Sequence, residues 1–223
     1  MNKNTILAVL IMIFFSNNAY SVLVDIQVLQ DAAINRNTPD TNQNESGFGG
    51  FNDRLLVSST NTTTLNESIF GFDLTLLPSQ AVINSITFNT HRIFSSIHSF
   101  DSNPVHIALG NTDIWDANTV TWNTSNGDHG DILDTQIFSQ DSTPVWVSWD
   151  VSNIQQQEYQ DQLLSFYLFT EPLGGSFGHN DQFEIDTAFL TIDYDVAAVP
   201  LPAAIWLFIS GILSLSAFNF RKN

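Results

Sequence analysis

Cysteine is absent from the 223 residues. No disulfide framework can form, so packing alone must hold the fold together. Basic side chains are almost absent too: six Lys and Arg stand against 23 Asp and Glu. A surface this acidic repels the phosphates of nucleic acids and anionic lipids, which excludes nucleic acid as a partner and weakens the case for a polyanionic sugar. Heptads, long internal repeats and the Ala, Lys and Glu runs of helices are missing as well. So are the signatures of common catalytic sites. There is no Gly-x-Ser-x-Gly elbow and no phosphate-binding glycine loop before a helix. The five histidines, His91, His98, His106, His129 and His179, show no metal-ligand spacing. His179-Asn180-Asp181 can orient a base, but no nucleophile accompanies it. Carboxylate pairs for glycoside cleavage are uninformative here, because 23 acids always offer pairs in three dimensions.

What the chain does contain lies first at its two ends. Lys3 precedes the apolar stretch Ile6 to Phe15, and Ala19-Tyr20-Ser21 places small residues where a signal peptidase reads. Ala19 and Ser21 therefore mark a cleavage site, and residues 1–21 read as a signal peptide. At the other end, Ala203 to Phe220 carries no charge. Such a run reaches roughly 27 Å as a helix, enough for a bilayer core. Pro200 and Pro202 stop helix continuation upstream, and Arg221 and Lys222 form a basic tail that marks the cytoplasmic flank. The reading is one C-terminal transmembrane helix over about residues 203–220, with the rest of the chain outside the cytosol.

All 23 acids lie between these signals, with only Arg36, Arg54 and Arg92 to balance them. This middle portion, residues 22–196, has the size of one domain. It is rich in Asn, Thr, Ser and Phe, a composition of strands and polar loops. Val24 to Val28 alternates apolar and polar residues. In Ile69 to Leu74, Phe70, Phe72 and Leu74 share one face, opposite Ile69, Gly71 and Asp73. Arg54 to Val57, Val82 to Phe88, Val105 to Leu109, Val145 to Trp149, Leu163 to Phe169 and Phe189 to Tyr194 read as further strands. Asn35 to Gly50 and His91 to Pro104 read as loops, and only Ser152 to Gln162 reads as a helix, capped by Ser152 with Ile154 and Tyr159 inward. Many short alternating strands predict an all-β, antiparallel β-sandwich, with the jelly roll as its expected version.

Strand register singles out one candidate site. Val145, Val147 and Trp149 share one side, and Trp146, Ser148 and Asp150 the other. Trp149 then belongs to the core. Trp146 sits beside polar groups, as a sugar-stacking aromatic does, although an aromatic covering the second sheet face gives the same pattern. Trp115 and Trp122 read as packing residues. No cofactor is expected. In Asn126-Gly127-Asp128-His129-Gly130-Asp131, Asp128 and Asp131 are candidate ligands for a structural Ca²⁺, and the same string reads as a turn; Asp40 to Glu45 is a second oxygen-rich string.

Two resemblances add to this. Val199-Pro200-Leu201-Pro202, the apolar run with Trp206, the Ser210-Gly211 pair and the Arg221-Lys222 end resemble the PEP-CTERM sorting signal of Gram-negative bacteria, with Leu201 where Glu is usual. The resemblance implies an exosortase-type membrane enzyme as partner, transit through the inner membrane, and release to the cell surface or extracellular matrix. Residues 197–223 are assigned to it. The middle portion resembles the DNRLRE family, relatives of which include carbohydrate-binding modules attached to polysaccharide lyases. The resemblance runs through Asp31-Ala32-Ala33-Ile34, Thr38 to Asn42, Arg54 to Val57, Ile69 to Leu74, Leu77-Pro78, Ala81-Val82-Ile83, Trp115 to Asn123, Trp149-Asp150-Val151 and Phe169-Thr170-Glu171. Gly71 and Thr170 depart from its usual basic residues. It implies a jelly roll with a structural or polysaccharide-binding role, and no catalysis. A polysaccharide-active enzyme or accessory module, and a Ca²⁺-stabilised adhesive matrix protein without a specific ligand, are the alternatives.

The exported protein is expected to begin at Val22, which N-terminal sequencing or intact mass checks. Met1 or Asn2 at that terminus would remove the signal-peptide reading.

Overall fold

The computed structural model describes residues 20–43, 54–59, 66–97, 102–125, 129–154, 161–172, 175–180 and 186–196. Among these residues the chain is all-β, with a single helical turn at Trp122–Ser125. The strands are β1 Tyr20–Gln27, β2 Gln30–Asn35, β3 Arg54–Ser59, β4 Asn66–Asp73, β5 Ala81–Ile97, β6 Asn103–Gly110, β7 His129–Phe138, β8 Val145–Asp150, β9 Leu163–Thr170, β10 Gly175–Asn180 and β11 Phe189–Val196. All pairings are antiparallel and link every strand into one curled sheet.

Strand β5 organises the curl. It runs 17 residues, and β11 then β10 follow one another along one edge while β8 takes the other. One layer is therefore β1-β11-β5-β8. Through β10 and β3 the sheet turns into the second layer, β2-β4-β9-β6-β7. Gly175 sits in this turn with φ of 130°, and a Cβ there would lie 2.0 Å from the Ser96 carbonyl oxygen, so the close approach of β10 to the end of β5 requires glycine. The sequence expectation of a loop from His91 to Pro104 is corrected by this strand. Thr90, Arg92 and Ser95 are buried polar residues inside it: the inward alternation continues through Thr90 and Arg92 and changes phase at an irregularity in the pairing with β10 before Ser95, so polar composition hid the strand.

The layers meet through aromatic rings. Phe88 of β5 lies 5.0 Å from Phe70 and 6.1 Å from Phe72 of β4, and 6.0 Å from Phe166 of β9, measured between centroids. Trp149 of β8 is 0% exposed, contacts Phe88, Phe138 and Phe177, and donates its indole N–H to the Val105 carbonyl in the opposite layer at 3.1 Å. Each such ring removes about 150–250 Å² from water, and the offset and edge-on geometries match the ring quadrupoles. This two-layer packing fits a β-sandwich. Trp149 and the Phe70-Phe72-Leu74 face occupy the core as strand alternation predicts.

A smaller second core lies outside the second layer. Ala32, Ile34, Ile69 and Tyr167 point away from the main core and are covered by Val120, Trp115 and Trp122 of the segment after β6. That segment is pinned by polar bonds. Trp115 Nε1 donates to Ser165 Oγ at 3.0 Å, Gln30 Nε2 donates to the Trp115 carbonyl at 2.8 Å, and Asn42 Nδ2 donates to the carbonyls of Ala117 and Val120, both at 2.9 Å. Gly71 makes room: a Cβ there would meet the Trp115 ring and Gln30 at 3.2 Å. The turn Trp122–Ser125 belongs to the same cover and has no periodic signature. The expected helix from Ser152 to Gln162 falls largely outside the described residues. Within them Ser152 and Asn153 form a turn, and Ile154 is partly buried against the main core.

Glu67 of β4 is trapped in this arrangement. It is 3% exposed, and burial raises its carboxyl to about 8, with Arg36 opposing the shift. Between the ordinary value of 4.5 and about 8 the unfolded chain has lost this proton and the folded chain keeps it. Stability therefore falls as pH rises through that window, by up to about 1.4 kcal/mol per pH unit, and levels off above it. Urea unfolding across the window should show this slope, and Glu67→Gln should flatten it.

Candidate functional site

The two outer faces of the sandwich have different fates. The second layer's is closed by the Trp115–Trp122 cover, whereas no described segment covers the outer face of β1-β11-β5-β8. Antiparallel register decides what stands on that open face. His91 of β5 is opposite Trp146 of β8, Asn89 is opposite both Ser148 and Phe189, Thr87 is opposite both Asp150 and Thr191, and Thr191 is opposite Asp25 of β1. Directly opposed residues share a face, so all of these point away from the core that holds Phe88, Trp149 and Leu190.

An aromatic cluster occupies one end of the face. Trp146 is 42% exposed, and its ring lies 5.3 Å from the His91 ring and 5.2 Å from Phe189, the latter edge-on at 68°. His91 Nδ1 is 3.8 Å from Asp186 Oδ2. Two neighbours thus brace the indole while leaving much of it open to water. A large amphipathic ring held this way presents a flat apolar surface at small entropic cost.

Beside the cluster runs a hydrogen-bonded chain that crosses all four strands. Ser148 Oγ donates to Asn89 Oδ1 at 2.6 Å, Asn89 Nδ2 donates to Thr191 Oγ1 at 3.2 Å, and Thr191 Oγ1 donates to Asp25 Oδ1 at 2.8 Å. Asn89 Nδ2 also reaches the Thr87 carbonyl at 3.2 Å. The donors all run toward the Asp25 carboxylate, which fixes which lone pairs and protons stay free to face solvent. At the end of β8, the Ser152 side chain and backbone N–H both donate to Asp150, holding its carboxyl below the usual carboxylate range. Flat apolar ring, hydroxyls, amide and ionised carboxylates together match the alternating apolar faces and hydroxyl edges of a pyranose.

The sequence-derived candidates are distributed as follows. Trp146, Ser148 and Asp150 share the open face. Asp131 is exposed in β7, in the second layer, and Asp128 lies outside the described residues. The turn expected over Asn126 to Asp131 is corrected from His129 onward: His129, Gly130 and Asp131 begin β7, with His129 paired to Gly110 after register shifts that let glycine-rich backbone join the ladder. No three of the described His, Asp and Glu residues cluster as metal ligands. His179 is fully buried between Phe70 and Phe177 with Nε2 2.9 Å from Ser68 Oγ, so it is a core residue rather than a base. Ser21 lies in β1, its hydroxyl donating to Asp193. Ala19 and the sorting-signal residues Val199, Pro200, Leu201, Pro202, Trp206, Arg221 and Lys222 lie outside the described residues, as does the expected membrane segment. No helix among the described residues is long and apolar enough to cross a membrane.

Asn89, His91, Phe189, Thr191 and Asp25 join the site through pairing alone. Alternation in β11 already put Thr191 outward, but only the cross-strand register brings these side chains to Trp146. A separate depression of about 340 Å³ lies beside Trp115 and Ile114, lined also by Gln30 and Asp113. Its aromatic is already committed: the Trp115 indole N–H is bonded to Ser165, and the ring packs on the second core.

Residues 23–184 match the profile of carbohydrate-binding module family 96. Among solved structures, the chain is similar to the C-terminal family 22 carbohydrate-binding module of Clostridium thermocellum Xyn10B, with 13% identity, 82% of this chain and 96% of that one covered, and a TM-score of 0.28. A xylan-binding domain of family 22 gives 12% identity, 80% and 96% coverage and a TM-score of 0.24. A chain of the mud crab tombus-like virus gives 10%, 86% and 87%, and 0.32. TM-scores of this size carry no argument about site or ligand. No curated protein matches the chain.

Asn89→Ala should break the four-strand chain at its centre. About 1 kcal/mol of stability is expected to go, as for a typical half-buried hydrogen bond, measurable by urea unfolding.

Proposed function

This chain belongs to carbohydrate-binding module family 96, and on that premise we propose that it is an exported, non-catalytic glycan-binding protein whose binding surface is the open face around Trp146. The observation that carries the reading is the half-exposed indole, braced by His91 and Phe189, on the same face as Ser148, Asn89 and Asp150, a face that no described segment covers. The apolar face of a pyranose stacks on an exposed aromatic ring while hydroxyls at the sugar's edge bond to nearby polar groups. Binding on a flat, preformed face needs no closure and no reacting group.

The reading extends to where the protein works. The domain has the jelly-roll form of the DNRLRE relatives, follows a signal peptide cut after Ser21, and reaches the cell surface or extracellular matrix of a Gram-negative bacterium through an exosortase acting on residues 197–223. Such a cut leaves Val22–Gln27 of β1 in its ladder with β11. The extracellular polysaccharide is the partner, and the inner membrane holds the chain in transit. A Ca²⁺ ion at Asp128 and Asp131 would stabilise the domain without entering the site.

Trp146→Ala should reduce retention on a glycan matrix by about tenfold or more, since a stacked aromatic contributes on the order of 1–2 kcal/mol. The melting temperature should change little, because the ring is braced on the surface rather than sealed in the core. Affinity electrophoresis paired with thermal melting checks both. Equal retention, or a collapse in stability, would move the site elsewhere, and release of reducing ends by the purified protein would replace the binding role with catalysis.

A further inference from the structure

The outer side of β5 does not end at His91, and what lies beyond bears on how long a glycan the protein reads, a question that rests on the glycan-binding reading and deepens it. The strand continues past His91 to Ile97. Arg92 is buried and turned inward, Ile93 is the extra residue at the irregularity in the pairing with β10, and Ser95 stands opposite the buried Phe177. Alternation therefore turns Phe94 outward, to the same side as His91 and Trp146.

The local sequence lets this ring lie down. Its partner across the ladder is Gly178, where a Cβ would fall 2.3 Å from Phe94 Cε1, so any larger residue there would lift the ring off β10. Phe94 is half-buried rather than sealed, and it forms one wall of a depression of about 410 Å³ lined also by Ser95, Ser96, Gln140, Asp141 and Ser142. The rim is held in place. Ser95 and Asp141 exchange both backbone hydrogen bonds, at 2.6 and 2.9 Å, and the Asp141 carboxylate accepts from the Thr143 N–H at 2.9 Å and from Arg92. A flat ring beside hydroxyls and an amide repeats the chemistry found around Trp146. A ring that only shields a strand glycine needs no such depression beside it.

Position along β5 sets the spacing. Trp146 is opposite His91, and Phe94 follows three residues further on, about 10 Å at the usual strand rise. The two rings flank opposite edges of β5, Trp146 on β8 and Phe94 against β10, so they stand further apart than that. A disaccharide seated on Trp146 falls short of Phe94, and a longer chain passes over His91 and reaches it. We propose that Phe94 and its depression form a second sugar subsite, so that the face binds a linear polysaccharide diagonally across β5, from Trp146 to Phe94, and discriminates it from short sugars.

Ladders of β-1,4-linked gluco-, xylo- and urono-oligosaccharides, from disaccharide to hexasaccharide, separate the cases by titration calorimetry with the exported protein. In the ladder that binds, the hexasaccharide is expected to bind about tenfold or more tighter than the disaccharide, the gain of a second stacked ring. Phe94→Leu keeps apolar bulk over Gly178 and removes the flat ring. It should bring the hexasaccharide down toward the disaccharide affinity, leave the disaccharide unchanged and barely move the melting temperature, whereas Phe94→Tyr should keep the wild-type ladder. Trp146→Ala should weaken every length. Isotope labelling of the Phe94 ring gives a readout without substitution: its resonances should shift with the hexasaccharide and stay in place with the disaccharide. Affinity that is flat with length, a ladder that Phe94→Leu leaves intact, or Phe94 resonances untouched by the hexasaccharide would overturn the second subsite while leaving glycan binding at Trp146 in place. Silence of all three ladders would overturn both.

Discussion

A two-layer sheet has two outer faces, and among the described residues a connecting segment closes one of them. That asymmetry governs the rest of the structure. The second layer sends Ala32, Ile34, Ile69 and Tyr167 outward, and such residues cannot be left in water without losing the gain of burial. The segment after β6 folds back and covers them with Trp115, Val120 and Trp122. The first layer sends outward mainly Ser, Asn, Thr and Asp, which need no cover, with Leu23 and Val82 exposed among them and Trp146 keeping much of its ring open. A binding face is what remains when a layer is polar enough to stay bare and aromatic enough to be worth docking on.

The bare face would be a loose array of side chains if nothing ordered it. Two devices do so. Trp146 is gripped by rings on the next two strands, and the chain of hydrogen bonds from Ser148 to Asp25 passes through every strand of the layer. Each bond is modest alone, since it replaces bonds to water. Their joint effect is orientation, because Asn89 uses both ends of its amide and thereby dictates how Ser148 and Thr191 turn. A ligand then meets groups whose rotamers are already chosen, which lowers the entropic cost of association. The strand that makes this possible is β5, the only one that contacts β8, β10 and β11 together.

Much of this architecture could be read from the residues. Alternation in Ile69 to Leu74 assigned Phe70, Phe72 and Leu74 to one side, and the structure packs them in the main core; register placed Trp149 inward and Trp146 outward. The failures have physical causes. Strand β5 was truncated because Thr90, Arg92 and Ser95 are polar yet buried, so its last third looks like loop to any hydrophobic pattern. Strand β7 begins in a Gly- and Asp-rich string that local chemistry assigns to a turn, and only its pairing with β6 overrides that preference. The partners of Trp146 could not be named at all. His91 and Phe189 lie 55 and 43 positions from it in the chain, and which rung faces which is set by long-range pairing that one sequence does not print.

The charge of the open face follows from where the few cations went. With three basic residues in the body of the chain, every one used inside is one fewer at the surface. Arg92 points inward from β5, where its guanidinium meets Asp141 and Phe138; removing such a donor would leave a carboxylate and a carbonyl without it at the same spot. Arg36 stands over the Trp122 ring at 6.0 Å and eases the burial of Glu67. Arg92 thus serves the interior, Arg36 stays exposed beside the second layer's cover, and β1, β5, β8 and β11 hold no other Lys or Arg.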